Sequence, residues 1–294
     1  MAEYNSISMS DDPITAIANC TGECAKVAQQ LLRLVNDYVQ PSLLKRKAHA
    51  EAEYSQIILN AELSGIEQRS LSRVLKESVT QQSNIDNIVT NSIPELKPNG
   101  RPEQIEDDWI ASFFNRAKHV SDTDMQMLWS KILAGESNQP GSFSKRTIDF
   151  LGALEKHEAE LFRDLCTYNW MIDKDTKEYR PFIHNHLNEI YSKRNLTFSE
   201  LQHLDKIGLI HFQENPLAHY TIKNVNKNCK IWYQNSMYSL VFPKDENMLN
   251  TGQVILTYMG HELSKIFTPQ FDQVFVDFMI DDIWKRAGIV AQKI

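Results

Sequence analysis

The sequence contains few of the residues that form tight turns and few that form cross-links. Of its 294 residues, only 10 are glycine, 10 are proline and 4 are cysteine. An all-β protein needs many tight turns, so this scarcity favours long helices. The cysteines are too few and too scattered for a disulfide framework, and Cys20 and Cys24 have no further metal ligands at suitable spacing. We therefore predict no metal site and no cofactor.

A basic excess and long apolar runs are also missing. The formal net charge is -7, whereas a dedicated nucleic-acid binder usually carries an excess of positive charge. No apolar run approaches the roughly 18 residues that span a bilayer. The polar, acidic start lacks the features of a signal peptide. We therefore expect a cytoplasmic protein without membrane attachment, for which nucleic acid is a less favoured partner.

Hydrophobic residues make up 42% of the chain, which is enough for a substantial core. Their spacing predicts a mainly α fold with long N-terminal helices and a small C-terminal α+β module of winged-helix type. The predicted organisation is a disordered tail (1–12), a long helical or coiled-coil-like region (13–93), a linker (94–102), a helical subdomain (103–170) and the winged-helix-like module (171–294). The linker is assigned because proline and glycine interrupt it and no periodicity crosses it.

The N-terminal region alternates charges of both signs, as on a solvated helix, and Ser64-Gly65 marks a break between two helices. A hairpin of long helices, or part of a coiled coil, would follow. We therefore expect a homo-oligomer or a protein partner bound through these helices. The basic triplet Lys45, Arg46 and Lys47 is a candidate contact for an anionic partner, although such triplets more often form a solvated face.

The helical subdomain carries a distinctive combination of residues. They include Asp108-Trp109, Phe113-Phe114, Ser121-Asp122, Gln126, Trp129, Ile132 to Glu136, Pro140 to Ser144 and Arg146-Thr147. In this combination the chain resembles a family of bacterial proteins catalogued as a domain of unknown function, over about residues 65 to 270. The resemblance implies a fold type and a bacterial origin but no activity. Some related bacterial proteins are associated with defence against phage.

Five residues of this segment are candidates for a ligand site or a structural role: Trp109, Gln126, Trp129, Glu136 and Arg146. A phosphate-binding loop would need more glycines and a following Lys-Ser or Lys-Thr, so we interpret Gly135 as a helix C-cap and Pro140-Gly141 as a turn.

The aromatic residues of the segment are expected in the core, although an aromatic platform for bases is the alternative. Glu136 and Arg146 are candidates for an ion pair. Lys145 and Arg146 are further candidates for contact with nucleic acid.

No catalytic set is recognisable, and no Walker, G-x-S-x-G or H-E-x-x-H motif occurs. His184-Asn185-His186 has the letters of an HNH nuclease but lacks partner ligands. Glu155, Glu158 and Glu160, with His157, offer a metal or acid–base group, although such clusters are mostly solvated surface. We therefore predict no catalytic residue.

In the C-terminal module, Phe198–Lys206 would be the recognition helix of a winged helix. It is acidic and presents only one lysine, whereas a helix that enters the major groove should present basic and amide side chains. It therefore fits a protein-interaction role better.

Three functions follow from this pattern. The favoured one is a non-enzymatic bacterial interaction or scaffold protein. The second is a nucleic-acid-binding regulator that uses the winged-helix-like module. The third is an enzyme or toxin with an unrecognised site near Glu136 and Arg146.

Overall fold

The computed structural model describes residues 13–18, 20, 22–39, 65–173, 178–243, 247–267 and 271–294. The chain forms two compact units, the first ending at Ala153 and the second beginning at Leu154. The described parts of the chain contain no helix that is both long and apolar enough to cross a membrane.

The first unit is helical in its described part. Its helices are α1 (Pro13–Ala18), α2 (Glu23–Val39), α3 (Gly65–Ser92), α4 (Asp107–Ala117), α5 (Thr123–Asn138) and α6 (Lys145–Leu151), with single 3₁₀ turns at Ile93–Glu95 and Pro102–Gln104. The C-terminal third of α3 packs on α5, where Ile85, Ile88 and Val89 are buried.

Local sequence signals explain where the helices of the first unit begin. Asp122 caps α5 by accepting hydrogen bonds from the backbone of Asp124 and Met125. Ser144 caps α6 by accepting from the backbone of Thr147, as expected for a helix that begins there.

The predicted linker, residues 94–102, lies inside the first unit. The backbone N–H of Arg101 donates to the carbonyl of Ser137 at 2.8 Å. Gly100 lies so close to α2 that an added Cβ would come within 2.8 Å of Val27 Cγ1. The change from one unit to the other occurs instead between α6 and the next helix.

The second unit combines helices with strands. Its helices are α7 (Lys156–Cys166), α8 (Glu189–Ser192), α9 (Phe198–Lys206), α10 (Tyr258–Ser264) and α11 (Gln273–Asp277), and a π-helical segment, Phe278–Trp284, continues α11. Its strands are β1 (Asn169–Asp173), β2 (Glu178–Pro181), β3 (Ile210–Phe212), β4 (Tyr220–Val225), β5 (Asn228–Tyr233), β6 (Ser236–Val241), β7 (Asn247–Gly252), β8 (Val254–Leu256) and β9 (Val290–Lys293).

An antiparallel sheet of order β2-β1-β5-β6-β9 forms the largest layer of this unit. The pairs β3–β8 and β4–β7 form two smaller antiparallel ribbons. Trp170 lies fully buried at the centre of the aromatic core, with its ring 5.0 Å from Trp284 and 4.9 Å from Tyr233. The core of the second unit therefore lies against the sheet.

The predicted fold class, mainly α with a small winged-helix-like module, is wrong. The C-terminal half is a mixed α/β unit that contains a five-stranded antiparallel sheet. The β5–β6 hairpin lies inside this sheet, between β1 and β9. The long helices α2 and α3 are present in the N-terminal half, whereas the predicted disordered tail and the first helix of the predicted hairpin lie outside the described residues.

Candidate functional site

The aromatic residues of the helical segment form the core of the first unit. Trp109, Phe113 and Trp129 are each at most 3% exposed, and the ring of Phe113 contacts each of the two indole rings at a centroid distance of 5.1 Å. The indole N–H of Trp109 donates to the carbonyl of Phe143 at 2.7 Å. These rings offer no surface on which a base or ligand could stack, so their role is structural.

Gln126 is buried and connects α5 to α3. Its amide nitrogen donates to Asn84 Oδ1 at 3.1 Å and to the carbonyl of Val120 at 2.8 Å. The amide nitrogen of Asn87 lies 3.4 Å from Gln126 Oε1. A buried amide that is satisfied in this way fixes the register of two helices and leaves little capacity for a ligand.

Glu136 holds the turn that follows α5. Its carboxylate is buried and accepts hydrogen bonds from the backbone N–H groups of Gly141, at 2.6 Å, and Phe143, at 3.0 Å. The predicted C-cap at Gly135 is wrong, because α5 continues to Asn138. Gly135 instead makes room for the Phe143 ring, since an added Cβ would lie 2.7 Å from Phe143 Cε2.

Two of the candidate basic residues, Lys145 and Arg146, are described by the structure, and both are exposed. Arg146 is exposed at the start of α6, whereas Glu136 is buried and accepts hydrogen bonds from two backbone N–H groups. Lys145 lies 3.4 Å from Asp108 in an exposed ion pair, which partly neutralises its charge. The triplet Lys45, Arg46 and Lys47 lies outside the described residues. The nucleic-acid contact therefore stays a prediction.

The predicted helix Phe198–Lys206 is confirmed as α9, and Gly208 follows it with a φ of 87°, which glycine adopts readily. Leu201 and Leu204 are buried. On its polar side, Gln202 donates to Glu214 at 2.8 Å and also accepts from Lys206 at 3.0 Å. The lysine and amide that could have read nucleic acid are thus engaged within the chain.

The N-terminal two-thirds of α3 carries an apolar stripe, defined here as Leu71, Val74, Leu75 and Val79. At 100° per residue these four side chains fall within an arc of about 140°. The buried residues Ile85 and Val89 lie in the same arc further along the helix. Val74 is 49% exposed and Val79 is 48% exposed, while the two leucines are half-buried.

The second unit brings together three side chains able to bind a metal ion, here called the His–Glu–His cluster. They are His157 and Glu158 from the start of α7 and His203 from α9, and one ligand atom from each lies within 4.8 Å of the others. The sequence pointed to His157 and Glu158, but not to His203, because 45 residues separate it from Glu158. The fold supplies the third group, since α7 and α9 pack together.

A second pair of histidines lies in the interior of the second unit. His184 is buried, its ring centroid lies 6.0 Å from that of His219, and the Nε2 atoms of both are buried without a hydrogen-bond partner. Burial, aided by His219, lowers the pKa of His184 from 6.5 to about 3, so its ring is neutral at pH 7. The segment that carries His184 lies between β2 and α8.

Comparisons with known proteins place the chain in one family. Residues 68–280 match a family described as "Protein of unknown function (DUF2806)". No curated protein and no solved structure matches the chain. The match covers most of the chain, including α3, the Glu136 turn and the His–Glu–His cluster. The chain therefore belongs to the DUF2806 family of proteins of unknown function.

Proposed function

We propose that this protein is a non-enzymatic interaction protein that self-associates through α3. The observation that carries the proposal is the apolar stripe, whose exposed part continues the line of the buried residues Ile85 and Val89. In a helix of a single compact unit, a stripe of this kind ends where the packing ends. Here it extends for roughly three more turns beyond the packed part.

The charges of α3 leave the stripe free to pair. Arg69, Arg73 and Lys76 lie on the opposite side of the helix, where Arg73 is 3.8 Å from Glu77 in an exposed ion pair. Between Leu71 and Gln82 the arc of the stripe also contains Ser78 and Gln82, but no charged residue. When two such stripes meet, the basic groups stay in water and no like charges are brought together.

The occupant that we propose for the stripe is the same stripe of a second copy. A two-fold interface needs one patch that is complementary to itself, and a narrow, nearly uncharged apolar stripe meets that condition. Only a few side chains would be buried in each copy, and association carries an entropic cost. The dimer should therefore be reversible and its population should depend on concentration.

The test is molar mass by light scattering over a range of micromolar concentrations. The unaltered chain is expected to shift from monomer towards dimer as concentration rises. Val74→Glu combined with Val79→Glu places two charges in the stripe and should keep the chain monomeric. Both side chains are about half exposed, so the fold should tolerate the change.

The matched control combines Thr80→Glu with Ser83→Glu, which adds the same two charges to exposed positions outside the stripe and should leave the dimer intact. A chain that is monomeric at every concentration overturns the proposal. If the unaltered chain is monomeric and the Val74→Glu, Val79→Glu variant is also less stable to urea, the stripe is covered by residues of the same chain. If stripe and control variants dimerise equally, the interface lies elsewhere.

A further inference from the structure

We propose that the His–Glu–His cluster binds a divalent transition-metal ion of the Zn²⁺ class. The proposal concerns the second unit and does not depend on self-association through α3. The donor set is two imidazoles and one carboxylate, whose ligand atoms lie within 4.8 Å of one another.

Glu158 is the fixed part of the cluster. Its side chain is only 13% exposed, and Oε2 accepts a hydrogen bond from the backbone N–H of Glu155 at 2.9 Å. This bond is one half of a capping box at the start of α7. The other oxygen, Oε1, lies 2.8 Å from Nε2 of His203. One helix start therefore aims a carboxylate at an imidazole on another helix.

His157 is the adjustable part. Its side chain is 65% exposed, and its ring lies nearly parallel to that of His203, with centroids 6.1 Å apart. Nδ1 of His157 lies 3.3 Å from a carboxylate oxygen of Glu155. A carboxylate that accepts the N–H of one ring nitrogen leaves the other nitrogen as the ligand, and this arrangement is common around protein-bound metals.

The distances fit a small ion after a modest movement. Ligand atoms around tetrahedral Zn²⁺ are separated by roughly 3.3 Å, given metal–ligand bonds of about 2.0–2.1 Å. The Glu158–His203 separation of 2.8 Å needs to widen by about 0.5 Å, and the exposed ring of His157 needs to move by roughly one to two ångströms, to complete the set.

The donor chemistry selects the class of ion. Imidazole nitrogens favour Zn²⁺, Ni²⁺, Cu²⁺ or Fe²⁺, whereas Mg²⁺ and Ca²⁺ prefer sites made of oxygen atoms. Three protein ligands leave at least one coordination position for water, because structural zinc sites usually have four protein ligands. The cluster therefore provides an open metal site at the surface of the second unit.

The test is calorimetric titration of the full chain with Zn²⁺, followed by titration with Co²⁺ monitored by visible absorption. We expect one ion per chain with nitrogen and oxygen ligands. His157→Ala, and separately His203→Gln, which retains a donor for Glu158, should each raise the Kd at least about 100-fold. Glu155→Gln, which keeps a side-chain oxygen for the capping box of α7 but removes the outer carboxylate, should raise it about 10–100-fold.

The matched control is His211→Gln, because His211 is an exposed histidine paired with Asp205 and lies outside the cluster. It should leave the Kd unchanged, and circular dichroism should show that every variant is folded. Cobalt spectra with thiolate bands would assign the ion to cysteines and overturn the proposal. Equal affinity in cluster and control variants, or no binding by the unaltered chain, would overturn it as well.

Discussion

At the residue scale, Glu136 shows how a charge can be buried for a structural reason. A carboxylate removed from water loses its hydration and is stable only when hydrogen-bond donors replace it. Two backbone N–H groups, those of Gly141 and Phe143, serve as such donors. They belong to the turn between α5 and α6, so the carboxylate fixes the path of the chain there.

We predict that Glu136→Gln lowers the free energy of unfolding by about 1–3 kcal/mol. Glutamine keeps the shape, but its amide group turns a donor towards one of the two backbone N–H groups. Urea unfolding followed by circular dichroism measures the change. Glu103→Gln, at an exposed position, is the control and should change stability by less than about 0.5 kcal/mol. Equal effects of the two substitutions would contradict the structural role of Glu136.

His184 couples stability to pH at the same scale. Burial lowers its pKa in the folded chain to about 3, below the 6.5 expected when the chain is unfolded. Between these values the unfolded chain binds more protons than the folded chain, so stability falls as the pH falls from about 6.5 towards 3.

We therefore predict that His184 alone reduces the free energy of unfolding by about 2–3 kcal/mol between pH 7 and pH 4.5. His184→Phe should remove that part of the pH dependence, whatever it does to stability at pH 7. His211→Gln, which changes an exposed ring, should keep the full dependence. Urea unfolding at both pH values measures the difference. If the free energy of unfolding of His184→Phe falls between pH 7 and pH 4.5 as much as that of the unaltered chain, the His184 ring is protonated in the folded chain.

At the scale of elements, α10 contains a glycine that its packing requires. Gly260 is buried, and a Cβ added to it would overlap the backbone carbonyl of Leu209. The helix start is fixed by Thr257, which accepts from the backbone of Gly260 at 3.1 Å and donates to the carbonyl of Gly208 at 2.7 Å. The segment before β3 and the start of α10 are thereby held together.

We predict that Gly260→Ala destabilises the protein by about 1–3 kcal/mol, because the added methyl group forces backbones apart. Helix propensity alone predicts the opposite sign, since alanine is favoured over glycine in helices by about 1 kcal/mol. Gly65→Ala provides the contrast, because within the part of the chain that the structure describes an added Cβ there meets only the Arg69 side chain, at 3.5 Å. Thermal unfolding is measured for both variants. Gly260→Ala should lower the melting temperature and Gly65→Ala should not, and a higher melting temperature for Gly260→Ala would refute the close contact.

The elements that the sequence predicts well are those with strong local signals. α9 has the predicted bounds, because Thr197 precedes it and Gly208 follows it with positive φ. β1 and β2 were missed: β1 begins inside the predicted helical subdomain, 103–170, and it is stabilised by pairing with the distant strand β5 as well as with β2. Met171 of β1 pairs with Trp232, a partner that no local pattern reveals.

At the scale of the whole molecule, the candidate sites differ in how far sequence could find them. The periodicity of the sequence indicates the apolar stripe on α3. It does not indicate that the stripe is exposed, because that depends on how far along α3 the helix α5 packs. The His–Glu–His cluster combines neighbours in sequence, His157 and Glu158, with the remote His203. Only the packing of α7 on α9 brings that third ligand within reach.

The five tryptophans are divided between the two units: Trp109 and Trp129 lie in the first, and Trp170, Trp232 and Trp284 lie in the second. All except Trp232 are buried. Each unit therefore carries its own intrinsic fluorophores. Replacing either set with phenylalanine leaves emission that reports on one unit alone, so the order in which the units melt becomes an optical measurement that needs no attached dye.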